Sequence, residues 1–372
     1  MKRCGKIFGV LSPILLSSPV VLGKTQVNVD MTEVNLGLDY QVVIAHMDHG
    51  DSETKVGDVD IEVSDSATVA PLYFYLTLNG KLNKDLHWDV IYNLAADEDA
   101  LEKAMVYKNI GPAFVGAGIN YVAQGGFDNM LIAHTPLDSL YTLNHLPLPG
   151  SQAVVEAGAN VAGRITLQLT QDVEGGWGGM DENGNYVNKY YSNTAQQPAM
   201  FLQWEGKFGG VSPLVQIGTF DKGHSTHTAV GVKYEGMGAT VIAEYITDTR
   251  TEEMYVPGQK AKALDHTYTS MGFQASYAVG PVTPFLEYAG FDYAQPEDKD
   301  LGLKDLDVNT GWFDDHGTDF ALGATLNTFG SQFQPTLKLW TTSGEYYKGN
   351  DSTQSKETRT MTRMILAFSG SF

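Results

Sequence analysis

Two aspartates, Asp128 and Asp138, stand with His134 and His145 in the longest connecting segment of the chain, 123–150. Glu156 and Arg164 follow on the two segments after it. Charges of both signs beside one narrow passage set up a field that sorts solutes by charge, because low-dielectric surroundings focus it. That chemistry is filtering, and it makes or breaks no bond. The constellations that could do other chemistry fail on spacing. His46/His49 and His224/His227 repeat at i and i+3, which on a strand point to opposite faces, so neither pair makes a metal site. The run Asp181-Glu182-Asn183-Gly184-Asn185 puts its glycine at the fourth place of a calcium loop instead of the sixth, with no glutamate at the twelfth. No nucleophile elbow, zincin helix or phosphate loop occurs.

The elements that must position these charges read with period two. At the C-terminus Thr362, Met364, Leu366, Phe368, Gly370 and Phe372 share one face, and Arg363, Ile365, Ala367, Ser369 and Ser371 the other. Near the start, Val34, Leu36, Leu38, Tyr40, Val42 and Ile44 oppose Asn35, Asp39 and Gln41. Ile165, Leu167 and Leu169 oppose Arg164, Thr166, Gln168 and Thr170; Phe320, Leu322, Ala324 and Leu326 oppose Asp319, Thr325 and Asn327. This is strand amphipathicity, and sixteen such segments run from 33–46 to 359–372. Fourteen is the alternative count, because the fourth and sixth segments are short.

The connections alternate in length. Tight ones fall at Ile110-Gly111, Val161-Ala162, Gly209-Gly210, Gly236 to Gly238, Val279-Gly280 and Gly330-Ser331. Between them lie longer, polar ones at 123–151, 173–197, 250–265, 293–316 and 347–358. Short turns on one rim and long loops on the other are the habit of transmembrane β-barrels, and the expected fold is all-β, an antiparallel transmembrane barrel. A soluble β-sandwich also alternates, but it leaves the two-sided loop lengths and the terminal Phe strand unexplained.

Residues 1–23 carry a basic start (Lys2, Arg3, Lys6), a largely apolar stretch and a Val21-Leu22-Gly23 cleavage site, which reads as a secretory signal peptide. Residues 24–372 are then one barrel domain. The single cysteine, Cys4, falls inside that signal, so the mature chain is expected to hold no disulfide and no Cys-ligated metal. Formal net charge is −20, and it becomes more negative when the signal's three bases are removed. An acidic chain of this kind excludes nucleic acid as partner and favours cations. The 40 glycines, and 19 tyrosines against 16 phenylalanines, suit tight turns and aromatic girdles.

With the terminal strand MTRMILAFSGSF, the strand PAFVGAGINYV and the long segment AQGGFDNMLIAHTPLDSLYTLNHLPLPG after it, the chain resembles the Gram-negative porins, chiefly the sixteen-stranded ones. The resemblance implies that the loop at 123–150, between strands five and six, folds into the barrel and narrows it. It also implies a homotrimer in the bacterial outer membrane, in contact with lipid and lipopolysaccharide. General porins place a ladder of basic residues on early strands facing an acidic loop. Here the second strand instead presents Tyr73, Tyr75, Thr77 and Asn79 inward, a wall better suited to sugars or planar solutes.

These readings make the chain a porin for passive diffusion of small hydrophilic solutes and ions, with a cation preference. The constriction residues are Asp128, Asp138, Arg164 and Glu156; the lumen wall includes Tyr73, Tyr75, Lys338, Arg359 and Arg363. No catalytic residue, cofactor or bound metal is expected within the barrel. The acidic outer loops, with Asp48 to Asp65 and Glu297 to Asp307, offer hard carboxylates to a divalent cation such as Ca²⁺ or Mg²⁺. The alternatives are an outer-membrane enzyme built from dispersed Asp, His or Ser, and a structural or adhesive barrel with a closed lumen.

Overall fold

The computed structural model describes residues 33–48, 66–95, 101–127, 151–170, 199–220, 225–254, 262–294, 316–348 and 355–371. It also describes three small hairpins: Val20–Leu22 with Thr25–Val27, Glu53–Val56 with Val59–Glu62, and Gly179–Met180 with Tyr186–Val187. The first hairpin spans the cleavage point read from the sequence. Among the described residues, sixteen strands close into one antiparallel barrel. They are β1 (Glu33–Asp48), β2 (Ser66–Asn83), β3 (Leu86–Asn93), β4 (Leu101–Ile110), β5 (Ala113–Tyr121), β6 (Ser151–Asn160), β7 (Arg164–Thr170) and β8 (Ala199–Glu205). Then come β9 (Val211–Phe220), β10 (Ser225–Gly236), β11 (Ala239–Met254), β12 (Lys262–Tyr277), β13 (Val282–Ala294), β14 (His316–Leu326), β15 (Gln334–Lys348) and β16 (Ser355–Ser371).

Closure is made by β16 on β1, with Ile365 opposite Ala45 and Phe368 opposite Val42. Every strand thus finds a partner on both sides, which leaves no row of unpaired backbone groups. The terminal strand therefore does what its pattern implied. Among the described residues no helix is long and apolar enough to cross a membrane; the crossing elements are strands.

The tight rim needs left-handed backbone. Gly111, Gly163, Gly209, Gly238, Gly280 and Gly330 all have positive φ, as do Ala162 and Met237 beside two of them. Two successive residues with positive φ make the primed hairpin turn that matches strand twist. β11 and β12 are longer than the sequence pattern gives, pairing out to Met254 and Lys262. Their connection is correspondingly shorter than 250–265, because polar Thr-Arg-Thr-Glu-Glu carries no alternation to mark where pairing stops.

Outward positions form an apolar belt: Leu36 is 68% exposed, and Val155, Leu167, Ile217, Leu322 and Leu339 are exposed with it. At the tight-turn rim aromatic side chains gather. Trp204 meets Phe208, Phe329 meets Phe333 edge-on, and Phe333 stacks on Phe368, the last two pairs with centroids 5.6 Å apart. Tyr40 donates to the Gln332 carbonyl at 3.0 Å. A belt edged by rings is what a bilayer and its interface select.

Inward positions carry Glu156, Gln168, Gln216, His227, Asp319 and Lys338, all buried from solvent. Inward rings lie flat on the wall over glycines. A Cβ on Gly116 would fall on Tyr107, one on Gly218 on Phe201, and one on Gly317 on Phe291. Glycine beneath an aromatic ring lets the ring cover the backbone without filling the channel. The abundance of glycine therefore has a second cause besides turns.

Candidate functional site

After Tyr121 the chain leaves the wall and turns inward. Gln124 to Phe127 are buried, although they belong to a connection between two strands. Their partners lie on β9, β10 and β11, several strands away from β5. Gln124 Nε2 donates to Asp248 Oδ2 at 2.6 Å, Gly126 N to Gln216 Oε1 at 2.8 Å, and Phe127 N to Glu244 Oε2 at 2.7 Å. Gly125 N approaches His227 Nε2 at 3.4 Å. His227 Nδ1 in turn meets Asp248 Oδ1 at 2.5 Å, with both side chains fully buried.

The sequence makes this possible at two glycines. Gly125 and Gly126 have φ of 95° and 65°, and a Cβ at Gly126 would strike the Glu244 carboxylate. Phe127 covers Gly231 on β10 and joins Leu214 and Ile242 in a small apolar cluster. The segment therefore runs inside the barrel along the wall from β7, where Ala123 N donates to Gln168 Oε1 at 2.8 Å, to β11, and its charge-assisted bond to Asp248 is stronger than the neutral one to Gln216.

Between this crossing and the tight-turn rim lies a cavity of about 630 Å³, walled by β3 to β9. Its groups are polar and mostly engaged. Asp89 pairs with Lys103 at 2.7 Å. Glu156 accepts from Asn120 at 2.7 Å and from Gln168 at 3.0 Å. His87 stacks on Tyr107 with centroids 5.0 Å apart, and Arg164 lies 4.4 Å over the Phe114 ring. Gly116→Leu should push Tyr107 off the wall into this space. A single-channel step smaller by roughly a third is expected in bilayer recording, since a ring displaced from a close-packed wall has only the cavity to enter. An unchanged step would show that the cavity is not on the conducting path.

The sequence-derived residues sort as follows. Glu156 and Arg164 both line the cavity, Arg164 at the tight-turn end of β7 and Glu156 two inward positions further up on β6. Tyr75 is buried beside Ile91. Lys338 is buried and paired with Glu287, and Arg363 lies 4.4 Å over Trp340. Tyr73 and Arg359 fall on β2 and β16, but their side chains lie outside the described residues. Asp128, Asp138, His134 and His145, and most of the acidic outer loops, lie outside them too. No group of three or more metal-binding side chains comes together among the described residues.

The anchoring set was only half visible beforehand. Alternation along β11 sets Glu244 on the same face as Asp248, whereas the sequence offers His227 only as half of a spaced histidine pair. Its role needed the register, which puts His227 directly opposite Asp248.

No sequence-family model and no curated protein matches this chain. Its fold does recur in solved outer-membrane structures. The anion-selective porin from Comamonas acidovorans is 12% identical with a TM-score of 0.59, covering 91% of this chain and 99% of that one. The outer membrane channel DcaP of Acinetobacter baumannii is 11% identical, also with a TM-score of 0.59, covering 91% and 97%. OmpT, an outer membrane protein of Vibrio cholerae in a trimer form, is 11% identical with a TM-score of 0.54, covering 91% and 99%. At such identities the likeness is one of fold: a sixteen-stranded porin-type barrel.

Proposed function

We propose that this chain is an outer-membrane porin, a passive diffusion channel for small hydrophilic solutes and ions. One observation carries the reading: a segment fastened across the inside of a closed barrel leaves a polar cavity of about 630 Å³ beside it. The apolar belt and the ring-studded rim suit a bilayer, and the porin-type fold agrees. Residues 1–23 act as the export signal in this reading. The trimer form of the Vibrio protein supports a homotrimer here, and the acidic outer loops face lipopolysaccharide through divalent cations.

Cation preference follows from the lumen charge. Glu205 lines the cavity with no lysine or arginine within ion-pair distance among the described residues, while Asp89 and Glu287 are matched by Lys103 and Lys338. The whole chain is acidic as well. Unmatched carboxylates in a narrow passage hold cations near the path.

The test is planar-bilayer recording on purified, folded protein with the reversal potential taken across a KCl gradient. Discrete open steps and a reversal on the cation side are expected. The preference should shrink in 1 M salt, where the screening length falls to about 3 Å. A reversal on the anion side would remove the cation preference and leave the channel. Folded protein that gives no steps would overturn the channel in favour of an enzyme or a closed barrel.

A further inference from the structure

We propose that the tight-turn end of the cavity is a subsite for a small zwitterion, with the solute's carboxylate on Arg164 and its ammonium on Glu205. The inference rests on the channel reading and names a solute class for it. Arg164 on β7 and Glu205 on β8 are direct partners in the ladder, and both line the cavity. Opposite charges at such a position ordinarily close on each other. Here they do not, and neither has an ion-pair partner among the described residues.

The cause lies in the wall. Phe114 on β5 lies over Gly158 on β6. The Arg164 guanidinium leans back across β6 onto that ring, 4.4 Å from its centroid, and its Nε donates to Thr166 Oγ1 at 3.3 Å. It is drawn away from Glu205, and its remaining N–H edge is left for a planar acceptor. An arginine held over a ring and tied at Nε has less freedom to turn its fork, which suits a carboxylate.

The gap has a size. The columns of β6 and β8 stand roughly 10 Å apart, two interstrand spacings. Two charge-assisted hydrogen bonds of about 2.8 Å each leave about 4 Å between them. An ammonium and a carboxylate separated by one or two carbons fit that span. The neighbouring charges do not compete, since Asp89 and Lys103 hold each other and Glu156 is held by two carboxamides. A simple anion meets Glu205 unfavourably, a simple cation meets Arg164 unfavourably, and a zwitterion satisfies both.

The experiment compares fluxes of labelled L-alanine, propionate and ethylammonium, one carbon frame with both charges or one, through proteoliposomes holding the purified protein. L-alanine flux should saturate and exceed the other two several-fold. Arg164→Gln and Glu205→Gln should each raise the half-saturation concentration roughly fivefold, the scale of a partly solvated ion pair. The reversed pair R164E/E205R moves the arginine out of reach of Phe114, lets the two charges close on each other, and should not restore saturation. The heat-dependent gel shift of the barrel confirms that each variant is folded. Linear fluxes at equal rates in protein that gives normal KCl steps would overturn the subsite alone. Saturation by propionate without L-alanine would overturn it too, leaving Arg164 an anion site. Folded protein with no KCl steps would overturn the channel reading and the subsite with it.

Discussion

Asp248→Ala is expected to free the crossing segment, raising the single-channel step roughly twofold as the passage widens. It should also admit sugars that the unaltered protein excludes in liposome-swelling measurements. Asp248 is fully buried and serves two groups at once, the Gln124 carboxamide of the segment and the His227 imidazole of the wall. Removing it orphans both. Each buried donor left without its acceptor costs about 1–3 kcal/mol, so the two together rival the ~0.5–3 kcal/mol net worth of any one remaining bond between segment and wall. The Ala123–Gln168, Gly126–Gln216 and Phe127–Glu244 bonds then hold the segment without its strongest anchor. Asp248→Asn keeps an acceptor of the same shape and should change the step far less. If D248A conducts as the unaltered protein does, the anchor is not what sets the passage.

How far this was legible in the sequence differs between wall and crossing. Period-two alternation survives in a barrel because lipid and lumen impose opposite demands on successive residues. All sixteen strands could therefore be read, with Arg164–Thr170 and Val211–Phe220 placed to within a residue or two. The tight rim was equally plain, because positive φ recruits glycine at Gly209, Gly238, Gly280 and Gly330. The inward turn after Tyr121 was not readable from alternation. It entered as an implication of the porin resemblance. The Gly125-Gly126 pair is its local signal, but two adjacent glycines do not say which wall they meet. That wall is set by register between distant strands, and register does not appear in any one segment.

The same limit explains the three small hairpins, whose two to four paired residues are too short for a period to show. It also explains the charges. Parity put Glu156, Glu244, Arg164 and Lys338 on the inward side, and the structure puts them there. Parity is silent on whether an inward charge faces solute or is spent on a neighbour, and these four divide on that point. Arg164 is exposed to the cavity. Glu244 holds the crossing, and Glu156 is 3% exposed and held by carboxamides.

Lys338 makes the division testable, and Lys338→Met is expected to cost stability while leaving ion selectivity nearly alone. The side chain is 2% exposed. It reaches from β15 across Gly323 of β14 to place Nζ 3.3 Å from Glu287 Oε2 on β13, and 5.9 Å from the Phe285 ring that covers that glycine. Gln274 supplies Glu287 with a second donor at 3.1 Å. Methionine keeps the apolar stem and removes the charge, so Glu287 stays buried without its cation. A loss on the order of 3–5 kcal/mol follows, read as a lowered midpoint of urea unfolding in micelles. Lys338→Met with Glu287→Leu removes both charges and should recover most of it, because a buried pair replaced by apolar groups of similar volume is often neutral. Solute never reaches a side chain this deep, so the reversal potential of either variant should stay near that of the unaltered protein. If K338M unfolds at the unaltered midpoint but shifts the reversal potential strongly, Lys338 belongs to the filter and the structural assignment fails.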